Sequence, residues 1–147
     1  MTLSKDSREF LESLNFRGIE YVIVGAHSLA FHGRPRYTGD LDILVRATPE
    51  NAAKLVDLLN HFGFGDSGFK ESDFTQPEKL IQLGRAPNRI DLLTSITGVT
   101  TEQALASKVD AELDGISVFI LSKDALIRNK RAVGRPQDIA DLTVLES

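Results

Sequence analysis

Two carboxylates separated by a single residue stand in Gly39-Asp40-Leu41-Asp42-Ile43-Leu44-Val45, an otherwise apolar, strand-like run. Side chains alternate faces along a strand, so Asp40 and Asp42 emerge on one side while Leu41 and Ile43 point to the other. Adjacent negative charges repel unless a cation lies between them, and Mg²⁺ accepts hard carboxylate oxygens readily. The ordinary alternative is a strand with one wet face, on which Asp-x-Asp is merely solvated. A third carboxylate, Asp91, lies between Ile90 and Leu92 in another apolar run. A buried lone Asp is costly, and a metal or a positive partner removes that cost. The alternatives are an edge-strand Asp facing water, or one paired with Arg89 or Arg85; beside the Asp-x-Asp pair, the metal is the reading preferred here.

Such groups need elements to hold them. Upstream runs Tyr21-Val22-Ile23-Val24-Gly25-Ala26-His27-Ser28-Leu29-Ala30-Phe31-His32-Gly33. Val22 to Val24 form a short β-branched stretch of the kind that fills a buried strand. Gly25 ends it, the small residues behind it suit a tight turn into a helix, and Gly33 is a natural stop. A strand, a glycine and a helix start aim free backbone N–H groups past the strand end, an arrangement suited to a phosphate. The plain alternative is an ordinary strand-to-helix connection.

Taken together, the order apolar strand, Gly-small, helix, then Asp-x-Asp on the next strand resembles the nucleotidyltransferase superfamily. Its signature is a Gly-Gly or Gly-Ser pair followed about a dozen residues later by Asp-x-Asp or Asp-x-Glu. Gly25-Ala26 takes the first place and Asp40-Leu41-Asp42 the second. The likeness is greatest to small bacterial nucleotidyltransferase-like proteins of abortive-infection and toxin–antitoxin type. It extends to Leu126-Ile127-Arg128-Asn129-Lys130-Arg131 and to Gly134-Arg135-Pro136-Gln137-Asp138-Ile139-Ala140-Asp141-Leu142.

The resemblance implies transfer of a nucleoside monophosphate from a nucleoside triphosphate, with Mg²⁺ (or Mn²⁺) held by Asp40, Asp42 and Asp91. Asp91 would also orient or deprotonate the attacking hydroxyl. Gly25, Ala26 and Ser28 would contact the nucleotide, with Lys130 as a phosphate contact; Arg36, beside Pro35 just ahead of the Asp pair, stands on a loop that could reach the phosphates as well. One departure is Ala26, which has no hydroxyl to offer where the family has Gly or Ser. Ser28 either replaces that hydroxyl or bonds the helix backbone, the commoner role. The acceptor would be a protein, an RNA 3′ end or a small hydroxylated molecule. Such acceptors usually dock against a second domain, so an oligomer or a partner protein is expected. A reading from another class is a non-catalytic binding partner, the antitoxin or regulatory half of a toxin–antitoxin pair.

The remaining chain agrees with an α/β (α+β) domain, a nucleotidyltransferase-like mixed sheet flanked by helices, over residues 1–147. Ser4 caps a first helix bearing Phe10, Leu11 and Leu14. Thr48-Pro49-Glu50 opens another, with Ala52, Leu55, Val56, Leu58 and Leu59 as its core stripe. Residues 63–77 read as a loop or an irregular hairpin, and 79–83 and 89–93 as two strands joined by residues 84–88. Thr100-Thr101-Glu102-Gln103 is a capping box. A strand at 116–120 precedes helices near 122–132 and 136–146.

Composition narrows the class. A formal net charge of −4 and a pI near 5.4 argue against a protein that coats nucleic acid. The chain has no cysteine, no apolar leader and no run long enough to cross a bilayer, so a cytoplasmic protein is expected. Basic residues gather at Arg34 and Arg36, and at Lys123, Arg128, Lys130, Arg131 and Arg135. Any one of them serves equally as a solvated or helix-end charge, and Arg135 could pair with Asp138 or Asp141. Gly65-Asp66-Ser67-Gly68 looks like a protease nucleophile segment without a triad around it. His27, His32 and His61 lack the spacing of a helical zinc pair; His27, just after Gly25, could hydrogen-bond a phosphate but reads first as an exposed helix residue.

Overall fold

The computed structural model describes residues 3–33, 39–64, 67–85 and 88–147. Arg34, Arg36, Gly65 and Asp66 lie outside them. The order of elements is α1 (Lys5–Phe16), β1 (Tyr21–Val24), α2 (Gly25–Phe31), β2 (Leu41–Val45), α3 (Pro49–Leu59), β3 (Leu80–Leu83) and β4 (Ile90–Leu93). Then follow α4 (Thr101–Ala106), β5 (Val109–Leu113), β6 (Ile116–Ile120), α5 (Lys123–Val133) and α6 (Pro136–Leu145). Local chemistry explains most of the boundaries. The hydroxyls of Ser4, Thr48, Thr100 and Ser122 each accept a backbone N–H in the first turn of the helix they cap. Pro49 and Pro136 stand at helix starts, where no N–H is needed.

The strands form one mixed sheet in the order β3-β4-β2-β1-β6-β5. β1 runs antiparallel to β2 and parallel to β6, while β2 and β4 are parallel. Alternation along each strand sends Tyr21, Ile23, Leu41, Ile43, Val45, Ile90 and Leu92 to one face, against Phe10, Leu11 and Leu14 of α1 and Leu55 and Leu58 of α3. Val22, Val24 and Leu44 point to the other face, against Leu29 of α2, Leu105 of α4 and Leu126 of α5. The sheet is therefore covered by helices on both faces, as the sequence pattern predicts.

One segment resolves an expectation and one adds to it. Residues 63–77 carry no hairpin among those described; a wide helical turn (Asn60–Phe64), broken at Gly63 with φ 85°, leads to a 3₁₀ turn (Glu71–Phe74). Phe74 is fully buried there, which pins the segment to the core. β5 is an added strand that pairs antiparallel with β6. Its link is the two-residue turn Asp114-Gly115, both with positive φ (51° and 83°), the geometry that Asp-Gly hairpins favour.

Candidate active site

The register of three strands assembles the site. Val24 pairs with Asp42, and Asp42 pairs with Asp91, so the carboxylates are neighbours across β2 and β4. Both side chains leave the sheet on the face of Val22, Val24 and Leu44, because Leu41, Ile43, Ile90 and Leu92 point the opposite way. Asp40 lies one residue before β2 rather than inside a strand. Gly25 follows Val24 at once and has φ 70°, which favours glycine. A Cβ there would overlap Asp42 Oδ2, so glycine lets the start of α2 close on the carboxylate.

Electrostatics mark Asp42. Burial pushes it up to about 7, and the charge and hydrogen bond of Asp91, then the charge of Asp40, add to the effect against the pull of Arg89. Asp91 has a positive partner. Arg89 Nε donates to Asp91 Oδ1 at 2.7 Å and Nη2 donates to Asp91 Oδ2 at 3.0 Å, a two-pronged contact. Arg89 Nη2 also lies 3.5 Å from Asp40 Oδ2, and the Arg89 backbone N–H donates to Asp40 Oδ1 at 3.2 Å. Of the two partners open to Asp91 from sequence, Arg89 is the one it has.

Among the described residues, no three carboxylate or imidazole groups converge closely enough to hold a metal as they stand. The donor chemistry nevertheless fits a hard divalent cation. Asp42 and Asp91 are adjacent carboxylates in a poorly solvated place, and their mutual repulsion is what such an ion relieves.

The other expected site residues fall in different surroundings. Ala26 follows Gly25 in the first turn of α2. Ser28 is fully buried, and its hydroxyl donates to Gly25 O at 2.8 Å, the backbone role. Lys130 Nζ sits between Asp138 Oδ1 at 3.2 Å and Asp141 Oδ2 at 2.9 Å, where it joins α5 to α6. Arg36 lies outside the described residues. His27 corrects an expectation: it is 2 % exposed rather than on the surface. Its ring hydrogen-bonds to the Asp40 backbone and is held below the usual imidazole range, chiefly by burial. α2 turns that face inward against the segment that carries Asp40.

A cleft of about 330 Å³ opens beside the carboxylates, lined by Val24, Gly25, Asp42 and Asp91 and by residues that sequence reasoning did not single out. Leu80, Leu93 and Ile96 give it an apolar wall, while Ser95, Thr97 and Asn129 supply neutral polar groups. Asn129 is oriented by donating from Nδ2 to Thr97 O at 2.8 Å. It stands in the segment Leu126–Arg131 that carries part of the family likeness, which was the available signal.

Known proteins share this fold. The fold is similar to that of TM1012 from Thermotoga maritima, described as a nucleotidyltransferase, at TM-score 0.62 and 18% identity over 95% of this chain and 89% of that one. It is similar to the lincosamide antibiotic adenylyltransferase LnuA in its lincomycin-bound form, at TM-score 0.61 and 16% identity over 100% and 99% of the two chains. The antibiotic-resistance factor ANT(2'')-Ia matches at TM-score 0.56 and 14% identity, covering 95% of this chain and 80% of its own. No curated protein sequence matches the chain. Residues 3–147 match the family described as "nucleotidyl transferase of unknown function" (DUF2204), and the chain belongs to that family.

Proposed function

We propose that the protein moves a nucleoside monophosphate from an Mg²⁺-bound nucleoside triphosphate to the hydroxyl of a small acceptor. The observation that carries this reading is the pairing of Asp42 with Asp91 beside Gly25, which leaves two carboxylates crowded at the mouth of a cleft. Asp40, Asp42 and Asp91 would hold Mg²⁺ (or Mn²⁺), which when bound neutralises the triphosphate and favours attack at its α-phosphorus. Asp91 aligns the acceptor hydroxyl and takes its proton. The new bond joins the acceptor oxygen to the α-phosphorus, and the bond from that phosphorus to pyrophosphate breaks. Gly25 and Ala26 bring backbone to the nucleotide, with Arg36 and Lys130 as phosphate contacts. Lys130 would first have to leave Asp138 and Asp141.

Several features support a small acceptor over a protein or RNA. Among the described residues, the cleft lining has no lysine or arginine, and it joins an apolar wall to neutral hydrogen-bonding groups. That lining suits an uncharged hydroxylated molecule better than a polyanion. LnuA, an adenylyltransferase bound to an antibiotic, matches this chain almost end to end, so a chain of this extent is long enough for such chemistry. One domain spanning residues 1–147 and acting in the cytoplasm is part of the same proposal.

The alternative is a non-catalytic partner, such as the antitoxin half of a toxin–antitoxin pair. Ala26 and the Arg89–Asp91 contact favour it. Calorimetric titration of α,β-methylene analogues of ATP, GTP, CTP and UTP with Mg²⁺ separates the two. The enzyme reading expects metal-dependent binding that disappears in Asp40→Ala/Asp42→Ala. A folded protein that binds none of the four would leave the partner reading.

A further inference from the structure

Arg89 is held in place from both ends. Its carbonyl accepts from the Leu41 N–H at 2.8 Å and its own N–H donates to Asp40 Oδ1, which ties the start of β4 to the start of β2. Its guanidinium reaches both oxygens of Asp91 and approaches Asp40 Oδ2. These are oxygens that the proposed divalent ion requires. A guanidinium fork occupies one lone pair on each oxygen of a carboxylate and sets a positive charge beside it, so a bare divalent ion at Asp91 meets part-occupied oxygens and cationic repulsion unless the fork loosens. The Arg89 side chain is 30% exposed, so it can leave the pair without crossing the core.

We propose that Arg89 is an exchangeable latch. It keeps a bare divalent ion off Asp40 and Asp91, and yields only when the ion arrives with a triphosphate, whose oxygens receive the released guanidinium. The metal and the nucleotide therefore bind as one unit. This rests on the reading of Asp40, Asp42 and Asp91 as metal ligands, and the test below distinguishes the two.

Free Mn²⁺ can be followed by electron paramagnetic resonance while the protein is titrated without nucleotide. Arg89→Gln should bind Mn²⁺ alone about tenfold tighter than wild type, since one competing cation is gone. Arg89→Lys, which makes a single contact in place of a fork, should fall between them and guards against a poorly folded Gln variant. Adding Asp91→Asn to Arg89→Gln should abolish the gain. With the α,β-methylene ATP, GTP, CTP and UTP analogues present, the order should reverse, Arg89→Gln binding Mn²⁺–nucleotide more weakly than wild type. If neither Arg89 variant binds Mn²⁺ alone more tightly, while Asp91→Asn weakens Mn²⁺–nucleotide binding, the latch is wrong and the metal site stands. If no variant binds Mn²⁺ with or without nucleotide, the metal-site reading fails and the latch with it.

Discussion

Asp42 is held up to about 7, chiefly by burial and then by the charge and hydrogen bond of Asp91. A carboxyl raised in the folded state makes the fold less stable wherever the unfolded chain has already lost that proton. The penalty is absent below about pH 4, grows between about 4 and 7, and is complete above 7. Asp42→Asn should therefore stabilise the metal-free protein at pH 8, on the order of 2 kcal/mol, with a gain that vanishes toward pH 4. Paired thermal melts in EDTA at pH 4, 6 and 8 would show it. A variant that loses stability at pH 8 would mean the Asp42–Asp91 pair is already relieved. The same substitution should lower nucleotidyl transfer by about a hundredfold or more. Gly25 adds a steric counterpart. Gly25→Ala places a Cβ onto Asp42 Oδ2 at φ 70° and should destabilise by about 2 kcal/mol. Because that neighbour is a movable carboxylate, binding of Mg²⁺–nucleotide should weaken along with the melting temperature.

Between elements, the α5–α6 hairpin is joined by a buried charge cluster. Asp138 and Asp141 are essentially inaccessible, and Lys130 Nζ bridges them while Arg135 Nε donates to Asp138 Oδ2 at 2.8 Å. Removing one partner strands the others in a poorly solvated place. Lys130→Met should thus cost about 3 kcal/mol, read as a shift in denaturant midpoint at unchanged slope. Asp138 is held down to about 2, first by the Arg135 hydrogen bond and also by Lys130. A depressed carboxyl stabilises above its unfolded value, so that contribution is full above about pH 4 and is lost as pH falls toward 2. Acid titration of wild type and Asp138→Asn should converge in that window.

This cluster also shows where reading a sequence stops. Caps at Ser4, Thr48 and Thr100, the β-branched run before Gly25 and the Asp-x-Asp spacing are local signals, and each lies where local chemistry puts it. Lys130 and Arg89 carry long side chains with several carboxylates in reach, and only the tertiary fold selects among them. The burial of His27 is not legible locally, because the inward face of a seven-residue helix is chosen by the sheet beneath it. β5 is weakly marked in the sequence because Asp110 and Glu112 alternate outward on an edge strand, leaving only half of a strand pattern. The Asp114-Gly115 turn was the signal that could have revealed it.

At the scale of the whole molecule, the carboxylates sit where β1, β2 and β4 meet, next to the second core rather than within it. The strands that carry them are central in the sheet, while β3 and β5 form its edges. Backbone motion at the site is thereby limited by packing on both faces of the sheet. The neighbouring carboxylates of Asp42 and Asp91 still repel each other in the metal-free site. A ligand that supplies positive charge there should stabilise the entire fold, because it binds the folded chain and not the unfolded one. At a hundred times its dissociation constant, the preferred Mg²⁺–nucleotide analogue should add about 2.7 kcal/mol. For a chain of 147 residues that is a rise of roughly 5–10 °C in melting temperature. Differential scanning fluorimetry across the four bases, each with Mg²⁺ or EDTA, measures it directly. The rise should require both nucleotide and metal, depend on the base and be absent in Asp42→Asn. A shift produced by nucleotide in EDTA would mean that phosphate binds elsewhere on the surface, with the carboxylates left out of it.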